Sequence, residues 1–138
     1  MHSKLVLGEP SIDRQHEELL SRFESLSSAG ISTERLSDTL SGLTVQICSH
    51  FRAEEMIMTQ LSLPEGMYHE HCQDHLRIIE EITNTHLDSM YGRGISPEQV
   101  ISKVANWVVQ HLVEFDLTLK PYIQFIQASP RSGPSLAP

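Results

Sequence analysis

Five histidines and two carboxylates stand along this chain at spacings that suit a metal centre held by helices. They are His16, then His50 with Glu54, then His71 with His75, then His111 with Asp116. Residues four apart share a helix face about one turn, ~6 Å, apart. His50 and Glu54 therefore offer two donor atoms to one point, and so do His71 and His75. One such pair by itself is weak evidence. The weight comes from conjunction, because every one of these groups keeps register with the apolar residues of its own segment. A histidine or carboxylate without a partner on such a face is costly. In one shared interior, five imidazoles and two carboxylates hold too few protons for so many acceptors. Metal cations resolve that shortage.

Ligand type narrows the metal. Imidazole suits zinc, copper, iron and nickel, while carboxylates that bridge favour paired iron or manganese. The donor set is too large for one tetrahedral zinc. Two six-coordinate ions, joined by both carboxylates and by a shared oxide or hydroxide, use all five imidazoles and keep a single position open. Two ferrous ions balanced this way leave about one net positive charge, which a core tolerates. A centre with one vacancy is built to take a small molecule end-on.

Asp116 poses a geometric problem. It follows His111 by five residues, about 140° around a regular helix. For both to reach one centre the helix must widen, and a π-bulge between them is the expectation, since such bulges occur at functional sites. Glu114, three after His111, is the rival carboxylate on simple helical geometry.

Four segments must position these residues. Met1 to Pro10 reads as an extended arm. Ser11 can cap a first helix reaching about Ser28, with Ile12, His16, Leu19, Leu20 and Phe23 on one face, and Gly30 breaks it. Ser32 or Thr33 can cap a second helix to about Leu61, with Leu36, Leu40, Leu43, Ile47, His50, Glu54, Ile57 and Leu61 inward. A third runs from about Glu65 to Met90, with Met67, His71, His75, Ile78 or Ile79, and Ile82 inward. Ser96-Pro97-Glu98-Gln99 is a cap, a proline at the first helical position and a capping-box glutamine. The fourth helix it opens carries Val100, Val104, Trp107 or Val108, His111 and Phe115. Pro121 stops or kinks it, and Tyr122 to Gln127 form a short last turn. The pattern predicts an all-α fold: an antiparallel up-down-up-down four-helix bundle with an N-terminal arm and a short C-terminal helix. Residues 1–128 form the domain. Residues 129–138, rich in proline and serine, read as a flexible tail or linker.

The remaining candidates read as scaffold. His2, His69 and His86 are expected at the surface or at helix ends, Glu55 exposed, and Met56 and Met58 in the core. Cys48 and Cys72 form no Cys-x-x-Cys pair and read as small buried apolar side chains in a reducing compartment. At 138 residues the chain can build a core without disulfides. A net charge of −8 without a Lys/Arg cluster argues against nucleic acid as a partner. The absence of a signal-like or membrane-spanning stretch points to a cytoplasmic location.

With these residues in place the chain resembles the haemerythrin family, the bacterial haemerythrins in particular. The likeness rests on Gly8 and Ile12-Asp13-Arg14-Gln15-His16, on His50-Phe51-Arg52-Ala53-Glu54-Glu55 with Met58, on His71-x-x-x-His75, and on Trp107-x-x-x-His111 with Asp116. It covers roughly residues 5 to 125. The resemblance implies a pair of iron ions with a bridging oxo or hydroxo group, and O2 as their ligand. It implies that His71, His75 and His111 hold the saturated iron, that His16 and His50 hold the iron with the open position, and that Glu54 and Asp116 bridge. The arm lacks the tryptophan often found there. Ile78 stands where the family often has phenylalanine, which implies a pocket more open to solvent and faster autoxidation.

Three functions follow in order. The first is reversible O2 binding, as a carrier or as a sensor domain with a C-terminal signalling output domain beyond the tail. The second is a di-iron oxidase or peroxidase-type enzyme, disfavoured because such bundle sites use carboxylate-rich Glu-x-x-His sets. The third is a metal-free bundle using a polar core for specificity.

Overall fold

The computed structural model describes residues 5–128. Five helices account for most of them: α1 (Pro10–Ala29), α2 (Thr33–Met58), α3 (Glu65–Met90), α4 (Pro97–Glu114) and α5 (Lys120–Ala128). A 3-10 turn, Asp116–Leu119, joins the last two. No strand occurs among the described residues. Helix α1 packs on α2, α2 on α3, α3 on α4, and α4 back on α1, which closes the four into a bundle. The tail at 129–138 and His2 lie outside the described residues.

Local chemistry sets most of the helix ends. Ser32 caps α2 by accepting from the Arg35 N–H, and Ser96 and Gln99 form the expected capping box with Pro97 at the first position of α4. Helix α1 starts two residues earlier than a Ser11 cap would place it. Pro10 takes its first position, and the Glu9 carboxylate, not the Ser11 hydroxyl, accepts from the N–H groups of Ser11 and Ile12. Helix α2 ends at Met58 rather than Leu61, and a turn then carries Leu61 back into the interior.

The interior has three layers. A large apolar cluster joins Leu19 and Phe23 of α1, Leu36, Leu40, Leu43, Ile47 and Phe51 of α2, Ile78 and Ile82 of α3, and Val100, Val104 and Val108 of α4. A smaller one joins Leu7, Ile12, Met58, Leu61, Leu119 and Ile123. Between them, each of the four helices passes through a buried polar layer. His16 lies between Ile12 and Leu19; His50 and Glu54 lie between Ile47 and Met58.

The arm and α5 close the smaller cluster. The Asp13 carboxylate accepts from the N–H groups of Leu7 (2.8 Å) and Gly8 (3.0 Å). Gly8 sits at φ +98, a conformation costly for any residue with a Cβ. The Gln127 side chain donates to the Gly8 carbonyl at 2.7 Å, so α5 and the arm hold each other against the bundle.

This packing decides between Trp107 and Val108 and corrects several other expectations. Val108 is buried and Trp107 only partly; Ile57 and Met67 are half-buried. Met58 lies in the core as expected, but Met56 is 68% exposed, because two residues are about 200° apart on a helix. Cys48 and Cys72 are half-buried free thiols, not core residues. Ile78 is fully buried in the larger cluster, so its smaller side chain does not open the interior to solvent there.

Two substitutions test this core. Leu40→Ala should cost about 2–5 kcal/mol by leaving a cavity at a fully buried site. Ile78→Phe should cost about 1–3 kcal/mol by overpacking. Urea unfolding followed by circular dichroism measures both; an unchanged midpoint for either would contradict the packing described.

Candidate metal centre

All seven sequence candidates meet in the polar layer, and all are buried: His16 from α1, His50 and Glu54 from α2, His71 and His75 from α3, His111 from α4, and Asp116 from the turn after α4. The two i, i+4 pairs arrive as helical spacing requires. Asp116 does not arrive by a π-bulge. Helix α4 ends at Glu114, its C-cap Phe115 is stretched to φ −117, ψ −53, and the chain tightens into the 3-10 turn. That break turns Asp116 inward. Glu114, which stays on the regular helix, is exposed and accepts from the Gln110 side chain at 3.1 Å, away from the cluster.

The two carboxylates divide their oxygens between two sets of imidazoles. Glu54 Oε1 lies 3.1 Å from His71 Nε2, 2.9 Å from His75 Nε2 and 3.8 Å from His111 Nε2. Its other oxygen, Oε2, lies 3.7 Å from His16 Nε2 and 3.8 Å from His50 Nε2. Asp116 does the same: Oδ1 lies 2.9 Å from His71 Nε2 and 3.0 Å from His111 Nε2, and Oδ2 lies 3.0 Å from His16 Nε2. Two donor groups result, one of His71, His75 and His111, the other of His16 and His50, and both share Glu54 and Asp116. Within each group the donor atoms lie within 4.8 Å of one another.

The fit to cations is visible in what these atoms fail to do. His16 Nε2, His111 Nε2 and Glu54 Oε2 are buried and facing the cluster, yet make no hydrogen bond among the described residues. His75 and His111 have a carboxylate on each ring nitrogen: Glu55 and Glu54 for one, Asp74 and Asp116 for the other. A neutral imidazole has one proton, so each such ring needs a second proton or a cation on its Nε2 side.

Electrostatics agrees. Burial alone lowers the pKa of His111, but the contacts and charges of Asp116 and Glu54 outweigh it and push it up to about 10. The same balance raises His16 to about 9. For His50 burial prevails and holds it down at about 4, against the pull of Glu54. Burial works to raise both carboxylates, yet the surrounding imidazoles hold Glu54 well below the ordinary range and Asp116 below it too. Without a metal, protons carry the compensating charge.

Sequence reasoning missed the groups that hold the rings. Glu55, expected to be exposed, is half-buried and accepts from His75 Nδ1 at 2.6 Å. Asp74 accepts from His111 Nδ1 at 2.7 Å, and the Gln15 amide oxygen from His50 Nδ1 at 2.7 Å. Phe51 stacks on His75 at 3.9 Å between ring centres, and Phe115 stacks on His111 at 5.3 Å. Gln15 and Glu55 each adjoin a candidate ligand and belong to the runs that carry the family resemblance, which could have pointed to them; for Asp74 the signal is its place next to His75. His69 is exposed, and His86 pairs with the Ser37 hydroxyl at 2.8 Å, both away from the cluster.

Residues 8–123 match the hemerythrin HHE cation binding domain. The chain belongs to that family. No curated protein and no solved structure gives a significant match. This hemerythrin domain thus carries a buried histidine and carboxylate cluster that could bind metal. No helix among its described residues is long and apolar enough to cross a membrane.

The proton-for-metal exchange sets a pH dependence. His16 and His111 have pKa values raised above the ordinary 6.5, so the stability they give the metal-free protein is full below about pH 6.5 and is lost as pH rises through 9 to 10. His50, lowered, penalises folding as pH falls from 6.5 toward 4. Metal-free protein should therefore melt at its highest temperature near neutrality, and metal loading should remove the alkaline decline. Thermal unfolding from pH 4 to 10, with and without metal, measures this; parallel alkaline declines in the two forms would contradict it.

Proposed function

We propose that this domain holds two iron ions and binds O2 reversibly. His71, His75 and His111 would hold one iron, His16 and His50 the other, with Glu54 and Asp116 bridging and a shared oxo or hydroxo group completing the pair. The observation that carries the reading is the division of oxygens: each carboxylate turns one oxygen to each imidazole group, Glu54 Oε2 at 3.7–3.8 Å from the His16 and His50 rings. A lone ion would not need that arrangement. The unequal imidazole count supports a vacancy at the His16 and His50 end.

A ferrous pair, when bound, supplies the electrons that O2 binding draws on. The chain supplies the rest. Apolar clusters on both sides of the polar layer keep bulk water from the centre. His50, held neutral, keeps a lone pair for metal, and Gln15 fixes which ring nitrogen carries its proton. The outward placement of Glu114 leaves the cluster with two carboxylates, which supports a binding module over an oxidase or peroxidase. The reading covers a carrier and equally the sensor domain of a larger protein, in the cytoplasm, with residues 129–138 leading into an output domain.

Anaerobic loading with ferrous iron, followed by elemental analysis and optical spectroscopy, tests this. Two irons per chain are expected, with a charge-transfer absorption that grows in air and fades under vacuum. His50→Ala should bind about one iron and lose the response to air. Fewer than two irons in the unaltered protein would sink the paired-iron reading, and sustained O2 consumption with a reductant would replace binding by catalysis.

A further inference from the structure

The two ends of the cluster are supported by different chemistry on their outer nitrogens. In the three-imidazole group, His75 Nδ1–H donates to the Glu55 carboxylate at 2.6 Å and His111 Nδ1–H to the Asp74 carboxylate at 2.7 Å. Both acceptors are anionic. The Asp74 side chain is 11% exposed, and Arg77 holds its second oxygen at 2.7 Å, so its orientation is fixed. The Glu55 side chain is 33% exposed and comes from α2, across from the α3 ring it supports. In the two-imidazole group, His50 Nδ1–H donates to a neutral amide, Gln15, at 2.7 Å. His16 Nδ1 makes no hydrogen bond among the described residues. His71 Nδ1 makes none either, so the third ring of the larger group adds no charged support.

An anionic acceptor draws the Nδ1 proton toward itself and raises electron density on the ring, which makes Nε2 a stronger donor. An amide does this weakly. Partners of this kind typically change metal affinity by about 10–100-fold. Taking the paired-metal reading as its basis, we propose that Glu55 and Asp74 are positioning residues that set the order of filling: the His71, His75 and His111 end binds metal first and releases it last. Imidazole count alone would favour the same end. The charge of Glu55 and Asp74 widens the gap, and Gln15 holds the other end weak.

Zinc alone is a suitable probe, because it is redox-silent and permits nuclear magnetic resonance of the histidine ring nitrogens. Calorimetric titration of metal-free protein should show two steps. One equivalent should move the ring signals of His71, His75 and His111, and the second those of His16 and His50. Glu55→Gln and Asp74→Asn keep an acceptor for Nδ1–H and remove the charge. Each should weaken the first step by about 10–100-fold and leave the second within about threefold. Gln15→Glu should tighten the second step by about tenfold and narrow the gap, and it keeps the test decisive if the amide variants lose helix content. Wild-type affinity in Glu55→Gln beside a loss in Glu55→Ala would show that only the hydrogen bond matters and would overturn the proposal. An unchanged second step in Gln15→Glu would overturn it equally. Uptake of fewer than two equivalents by the unaltered protein is a separate failure, that of the paired-metal reading itself.

Discussion

A shortage of protons in a buried polar layer governs this molecule. Two carboxylates and five imidazoles, all buried, face one another with apolar clusters on either side. Burying such groups is tolerable only when each finds a partner, and these groups have more lone pairs than hydrogens to place between them. Cations, whether protons or metal, are the one component that balances the set. Two imidazoles raised to about 9 and 10 are the proton answer to that constraint; the paired donor groups are shaped for the metal one.

The scaffold follows from having to deliver these groups to one level. Apolar residues must lie above and below the polar ones: α1 and α2 carry them on both sides, whereas α4 ends three residues after His111 and leaves the lower side to Leu119 and Ile123. This explains why Ile47 and Met58 bracket His50 and Glu54, and why Ile78 follows His75 by less than one turn. It also explains the second, smaller cluster. Without Leu7 from the arm and Ile123 from α5, the lower side of the layer would open to water. The Asp13 bonds to the Leu7 and Gly8 N–H groups and the Gln127 bond to the Gly8 carbonyl keep that seal in place.

The break after Glu114 is the departure from regular structure that the layer requires. A helix continued through Phe115 would aim Asp116 away from His111 and offer Glu114 instead. Ending α4 one residue sooner and tightening the backbone into a 3-10 turn reverses that choice. The turn then leads directly into α5, so the same break that aims a carboxylate inward also starts the helix that closes the base.

Much of this was legible in the chain because it depends on spacing within single helices. The pairs His50/Glu54 and His71/His75 must share a face wherever the helices go, and the capping box at Ser96 announces a helix start by its own chemistry. The apolar register of His16 and His111 told that they are buried. What the sequence could not decide is what crosses between helices. Glu55 reaches His75 over 20 positions, Gln15 reaches His50 over 35, and Asp74 reaches His111 over 37. Those contacts depend on how two helices are rotated against each other, which is a property of packing across the whole core. The inward turn of Asp116 belongs with them: a local pattern specifies a regular helix, and only the demand of the assembled interior for a second shared carboxylate selects the broken one.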